Sequence, residues 1–248
     1  MRVAALYDIH GNLPALEAAM DDIRAARMDQ VIVGGDVVLG PMPRETLAYL
    51  SDLDIPTQFI QGNCDRYVLE EARGTASYAL PPEVLETIRW VARELGPEVE
   101  GILAGWPSTL RVEIPGLNDV LFCHATPRSD TEIFLRTTPD DRVSRLLDGV
   151  DASVVVCGHT HMQFDRTVGK TRVVNAGSVG MPVAEPGAHW VLLGPDVELR
   201  RTSYDLSKAA ELIGATAYPG ARDYAEHNIL HPPTEEKMLE VFARKELQ

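Results

Sequence analysis

The first third of the chain alternates short apolar runs with stretches of helical spacing. "RVAALY", "QVIVGGD" and "PTQFIQGN" read as strands, each an apolar run followed by turn-forming or polar residues. Between them, "LPALEAAMDDIRAA" and "RETLAYLSDL" carry apolar residues at helical spacing. Asn12 stands where an N-cap is expected, and Pro14 falls in the first turn, where its missing N–H is harmless. This order predicts a parallel sheet with right-handed crossovers. After Asp65 helices dominate: "PPEVLETIRWVAREL" repeats Val84, Ile88, Val91 and Leu95 on one face and stops at Gly96-Pro97. From Thr109 the pattern turns to strands: "TLRVEI", "DVLFCHA", "ASVVVCGH", "TRVVNAG" and "HWVLLG". Gly116-Leu117-Asn118-Asp119 and Gly169-Lys170 read as hairpin turns. From Asp205 the chain is helical again, and Met238, Leu239 and Phe242 share a face expected to pack back onto the rest. No repeat or linker breaks this pattern. It predicts one domain over 1–248, with a helical insertion near 66–106 and a helical extension over 205–248.

Composition narrows the function. Of 248 residues, 45% are hydrophobic and 24% charged, enough for a full α/β core. The net charge of −14 argues against general binding to nucleic acid or anionic membranes. It also requires a local positive charge wherever an anionic substrate binds, which a metal ion would supply. Cys64, Cys123 and Cys157 are few, odd in number and lack C-x-x-C spacing, so neither a disulfide framework nor a zinc knuckle is expected. Asp8 interrupts the only apolar run near the start, so no signal peptide or spanning helix is expected, and a cytoplasmic location follows as the default.

The strand ends carry the chemistry. "YDIHGN" places Asp8 and His10 at the end of the first strand, one strand period apart and so expected on the same side. Taken alone, the pair suits a metal ion, an acid–base couple, or a helix cap beside a surface histidine. Other strands end in Asp36, in Asn63, Cys64 and Asp65, in His124, and in His159 and His161. In an open α/β sheet, ligands bind outside the carboxyl ends of the strands, so these residues are expected to converge. Imidazoles with carboxylate and carbonyl oxygens suit borderline or hard divalent ions. One Asp can bridge two of them, and two ions about 3.5–4 Å apart can clamp a phosphoryl group.

In this order, D-I-H-G-N, G-G-D-V-V-L-G-P, G-N-C-D, C-H-A and G-H-T-H resemble the signature of the calcineurin-like metallophosphoesterases. "VVNAGSVGMP" narrows the likeness to their small bacterial and archaeal branch, over roughly Arg2 to Tyr204. The resemblance implies an α/β four-layer sandwich of two packed mixed β-sheets flanked by helices. It implies Asp8, His10 and His161 on one metal, Asn63, His124 and His159 on a second, and Asp36 between them. Asp36, Asn63 and His124 would carry catalysis, with a metal-activated hydroxide attacking phosphorus. Two divalent ions are implied, manganese first, with iron, zinc, nickel, cobalt or magnesium as alternatives. The implied reaction is hydrolysis of a small phosphate ester, a phosphodiester foremost; the alternatives are a nucleotide or dinucleoside-polyphosphate hydrolase and a catalytically weak metal-loaded binding module. The reading also allows a homodimer.

Two positions depart from the pattern. Cys64 stands where many relatives carry a histidine general acid, and Leu39 where its orienting aspartate would be. Cys64, Arg66 and Asn12 are the candidate substrate contacts. Arg128 and Arg136 flank site motifs but read as solvated charges, and Cys123 and Cys157 read as core thiols. Asn175 and Ser178 read as turn builders, and His189, His227 and His231 as residues without chemistry.

Overall fold

The protein is described by a computed structural model covering residues 1–246. Its first half runs β1 (Val3–Leu6), α1 (Leu13–Ala25), β2 (Gln30–Val33), α2 (Pro43–Ser51), β3 (Thr57–Phe59), α3 (Asn63–Arg73), α4 (Pro82–Leu95) and α5 (Glu98–Leu103). The strand-rich part follows: β4 (Thr109–Ile114), β5 (Asn118–Cys123), α6 (Asp140–Leu146), β6 (Val154–Cys157), β7 (Phe164–Val168), β8 (Thr171–Asn175), β9 (Ala188–Leu193) and β10 (Val197–Thr202). The last elements are α7 (Leu206–Gly214), α8 (Ala221–Tyr224), a π-helical turn (Ala225–Leu230) and α9 (Glu235–Glu246).

The strands form two five-stranded sheets, ordered β10-β9-β1-β2-β3 and β4-β5-β6-β8-β7. β1, β2 and β3 are parallel, as the strand–helix alternation predicts, while β9 and β10 join antiparallel. The second sheet is mixed in the same way: β5, β6 and β8 are parallel, flanked by antiparallel β4 and β7.

Side-chain alternation explains the layering. Val3, Ala5 and Tyr7 face Phe122, Val154, Val156 and Val174 of the second sheet. Ala4 and Leu6 face the other way, onto Leu16, Met20 and Ile23 of α1. A strand apolar on both faces must be covered on both, which is why β1 reads as an unbroken apolar run. Cys123, Val155, Cys157 and Val173 pack outward with Val143 of α6, so the cysteines of β5 and β6 are core thiols. The Tyr7 hydroxyl donates to Val156 O at 3.0 Å and links the sheets.

The C-terminal face of α9 packs as its pattern predicts, with Met238, Leu239 and Phe242 against Leu135, Met162 and Val183. Two elements were not expected from the pattern. β10 is an edge strand whose sequence, VELRRT, is mostly exposed and charged. α6 has only Val143 fully buried and starts after Pro139 without a side-chain cap.

Candidate metal centre

β1, β2 and β6 stop before the residues that carry the chemistry, at Leu6, Val33 and Cys157. The expectation that Asp8 and His10 converge by strand pleating is therefore corrected, and His159 and His161 likewise lie beyond their strand. Asp8, His10, Asp36, His159 and His161 all take left-handed backbone conformations, with φ of 54°, 47°, 53°, 65° and 61°. Among the described residues only eight non-glycine positions do so, and these are five of them. Such conformations cost on the order of 1–3 kcal/mol each and persist where surrounding contacts enforce them, typically at functional sites.

The enforcing contacts are visible. Asp8 N donates to Gly35 O, His10 N to Asp36 O and Gly11 N to Val37 O, so the two loops continue the pairing of β1 with β2. The Asn175–Ser178 turn closes the other side. Asn175 Nδ2 donates to Gly158 O at 2.6 Å, and Ser178 Oγ donates to Asp8 O at 2.7 Å. The approach needs glycine twice over. A Cβ on Gly62 would lie 2.2 Å from Asp36 Oδ1, and one on Gly158 2.4 Å from Asp8 Oδ2.

Asp8, His10 and His161 form one cluster of converging donor atoms, and Asp36, His124 and His159 another. Backbone carbonyls fix the histidine tautomers. His10 Nδ1 donates to Leu39 O, His161 Nδ1 to Met181 O and His124 Nδ1 to Gly34 O. A carbonyl can only accept, so each ring, when neutral, presents a bare Nε2 to the interior. His10 Nε2 and His161 Nε2 face each other at 3.3 Å, where two neutral rings would oppose their lone pairs. Asp8 Oδ2 accepts from His159 N at 2.8 Å, but the buried Asp8 Oδ1 has no hydrogen-bond partner. That oxygen lies 3.4 Å from His161 Nε2 and 3.9 Å from His10 Nε2. An orphaned carboxylate oxygen among imidazole lone pairs fits a cation.

Asn63 completes the second cluster. Its carbonyl oxygen faces His124 Nε2 at 3.1 Å, while its Nδ2 turns to Cys64 Sγ at 3.4 Å. Hydrogen bonding alone would favour the opposite orientation, with Nδ2 donating to His124 Nε2, His159 Nδ1 and Asp130 O. A cation among these atoms reverses the preference, because it needs the amide oxygen. Asp36 reaches both clusters: its Oδ2 lies 3.4 Å from His124 Nε2 and 3.8 Å from His10 Nε2. Its Oδ1 accepts from Cys64 N at the start of α3, where a helix favours negative charge.

The electrostatics say the same. Burial alone would raise Asp36 and Asp8, but the facing imidazoles, His124 for Asp36 and His161 for Asp8, hold both below the usual carboxylate range. Burial lowers His124, yet Asp36 and Asp8 push it up to about 10, so with no cation beside it the ring takes up a proton on Nε2 that a bound ion would replace. Burial and the neighbouring His124 bring His159 down to about 4. Two buried carboxylates require positive charge beside them, and divalent ions would supply it directly.

The roles of two residues at the site were not read from the sequence. Asp65, in the first turn of α3, accepts from Val37 N, Val38 N and Gly62 N, fastening the Asp36 loop to the Asn63 loop. We expect Asp65→Asn to destabilise the fold by about 1–3 kcal/mol, because an amide group would face a backbone donor. Metal affinity should fall about 10–100-fold at both clusters. Thermal melting and metal titration of the variant measure these effects, and wild-type values in both would show that the carboxylate does not hold the loops. The second residue is Tyr224, whose hydroxyl lies 3.1 Å from His10 O and from Gly180 O.

The candidate substrate contacts divide. Cys64 is half-buried beside His10 and Asp36, and burial, then the Asp36 charge, push its thiol well above the ordinary range. Arg66 lies at the edge of the centre, held by Asp130 and Glu70. Asn12 does not face substrate. It is fully buried, with Oδ1 accepting from Ala15 N as the α1 cap and Nδ2 donating to Gly180 O, so the expectation of a substrate contact is corrected. Arg128 and Arg136 pair with Glu132 and Glu235. His189 is buried in β9, and His227 and His231 are exposed.

Residues 1–196 match the calcineurin-like phosphoesterase superfamily domain, and the chain belongs to that family. Membership supports metal-dependent hydrolysis of phosphate esters. In sequence the chain is 27% identical over 239 residues to an uncharacterised protein of Methanocaldococcus jannaschii, covering 88% of this chain and 93% of the other. In fold it is similar to a hypothetical protein of Pyrococcus horikoshii (TM-score 0.80, 22% identity, 94% and 99% of the two chains covered). It is also similar to a metallophosphoesterase of Sphaerobacter thermophilus (TM-score 0.70, 24% identity, 92% and 99% covered). No described helix is long and apolar enough to cross a membrane.

Proposed function

We propose that the chain is a dinuclear phosphoesterase acting on small phosphate esters, with phosphodiesters the preferred class. Asp8, His10 and His161 hold one divalent ion, Asn63, His124 and His159 the other, and Asp36 serves both. The observation that carries this reading is the orphaned Asp8 Oδ1 among the bare Nε2 atoms of His10 and His161. When bound, the ions supply Lewis acidity and a nucleophile at neutral pH. The chain's own part is positional. The Leu39, Gly34 and Met181 carbonyls keep His10, His124 and His161 in the ligating tautomer. The left-handed loops and Asp65 hold Asp36 between the two clusters. Manganese is the first metal to test, since nitrogen and oxygen donors accept several divalent ions. A net charge of −14 favours a small ester over a nucleic acid strand.

Chelated protein is expected to bind two manganese ions per chain and to hydrolyse bis(p-nitrophenyl) phosphate faster than p-nitrophenyl phosphate. Metal analysis showing a single ion would overturn the dinuclear assignment. Two bound ions without turnover on either ester, with manganese, zinc, iron, nickel or cobalt, would leave a metal-loaded binding module.

A further inference from the structure

A cavity of about 320 Å³ opens beside His124, with Gln61, Arg66, Ser108, Arg128, Ser129 and Asp130 in its wall. Arg66 is the fixed point. It lies one turn beyond Asn63 on the same face of α3, so it borders the second metal cluster. Asp130 accepts from Arg66 Nε at 2.6 Å and Nη2 at 3.1 Å, and Glu70 accepts from Nη1 at 3.2 Å. The guanidinium stands over the Tyr67 ring, 4.7 Å from its centroid. A guanidinium has five N–H groups, and these bonds use three, leaving one on each terminal nitrogen. Asp130 is held by the same guanidinium, accepting from it through both carboxylate oxygens. The loop between them is stiffened by Thr126 Oγ1 donating to Glu132 and by paired bonds between Thr126 and Ser129.

Three properties of this wall limit its ligand. Both arginines already face carboxylates, Arg66 with Asp130 and Glu70, Arg128 with Glu132, so no unbalanced positive charge awaits a second phosphate. No Phe, Tyr or Trp lines the cavity, so a nucleobase finds no large aromatic face to stack on there. The wall offers donors and acceptors side by side, from guanidinium, carboxylate, amide and hydroxyl groups. A ligand rich in groups that both donate and accept makes the fullest use of such a mixture, and the hydroxyl is the smallest such group. Resting on the phosphoesterase reading above, we infer that this cavity binds the second alcohol of a phosphodiester and that this alcohol is a polyol or sugar. Arg66 and Asp130 are the residues that read its hydroxyls.

The test keeps the leaving group constant. Three p-nitrophenyl phosphodiesters carry glyceryl, ethyl or thymidyl as the second ester group. The manganese-loaded wild type should favour the glyceryl ester over both others by about tenfold or more in kcat/KM, the scale of two or three net hydrogen bonds. The preference should lie mainly in KM. In Asp130→Asn and Arg66→Lys the glyceryl-to-ethyl ratio should fall toward one, with circular dichroism and metal content showing that both variants fold and load. Calorimetric binding of glycerol phosphate against ethyl phosphate makes the same comparison without turnover. Absence of turnover on all three diesters would overturn the phosphoesterase reading. Equal affinities or equal rates for glyceryl and ethyl groups, a thymidyl preference, or an unchanged ratio in both variants would overturn the inference.

Discussion

Asp36→Asn should lower turnover by about 10³-fold, the scale of losing a preorganised electrostatic group, and should cost more than loss of any single histidine. The reason lies in its contacts. Asp36 Oδ2 lies 3.8 Å from His10 Nε2 and 3.4 Å from His124 Nε2, one from each donor cluster, and is closer to each ring than Asp8 Oδ1, which lies 3.9 Å from both. Its other oxygen holds the first turn of α3, where Asn63 begins. The substitution removes one negative charge from between the two donor clusters, and it can set an amide N–H against the Cys64 backbone donor. His10→Ala strips only the first cluster, and His124→Ala only the second. The measurement is metal content after gel filtration at low manganese, together with kcat on an aryl diester. Asp36→Asn should lose both ions, whereas each histidine variant should retain one. A variant that keeps two ions and near-normal turnover would remove Asp36 from the bridging position.

What the sequence revealed of this centre, and what it concealed, follows from the range of the contacts. The parallel core of β1, β2 and β3 was legible because each strand is a short apolar run separated by an amphipathic helix. The convergence of these donor residues was legible because five short motifs occur in a fixed order, although the reason given for it was wrong. Pleating would set Asp8 and His10 on one strand face, but left-handed turns do it instead, and a sequence does not show φ for a non-glycine residue. The part played by Asp65, and Asp130 altogether, escaped notice because their roles are tertiary. Asp65 reaches back to Val37 and Val38, and Asp130 meets Arg66 across 64 positions of sequence. Tyr224 is further still, 214 positions from the His10 carbonyl that its hydroxyl contacts. It lies beyond the part of the chain that matches the family. β10 and α6 were missed because each presents few buried residues, so the apolar period that marks other elements is absent.

The second large effect concerns the leaving group. Cys64 occupies the position next to Asn63 where an imidazole would protonate the departing oxygen, and the buried Leu39 offers only its carbonyl, which already binds His10. Residues 64 and 39 thus offer the leaving oxygen neither an imidazole nor a carboxylate to orient one. General acid catalysis typically contributes about 10²–10⁴-fold, so esters of poor leaving groups should lag by that margin. Across phosphodiesters with one constant group, kcat/KM should fall steeply as the pKa of the leaving alcohol rises from nitrophenol to ethanol. Cys64→His should flatten the slope by raising the rates of alkyl esters, with little change for nitrophenyl esters that leave unaided. The rescue should be partial, because no carboxylate at residue 39 orients the new ring, and Cys64→His with Leu39→Asp should recover more. Metal content of each variant separates lost ions from altered proton transfer. Parallel slopes in the wild type and in both fully loaded variants would show that proton donation at residue 64 does not limit the reaction.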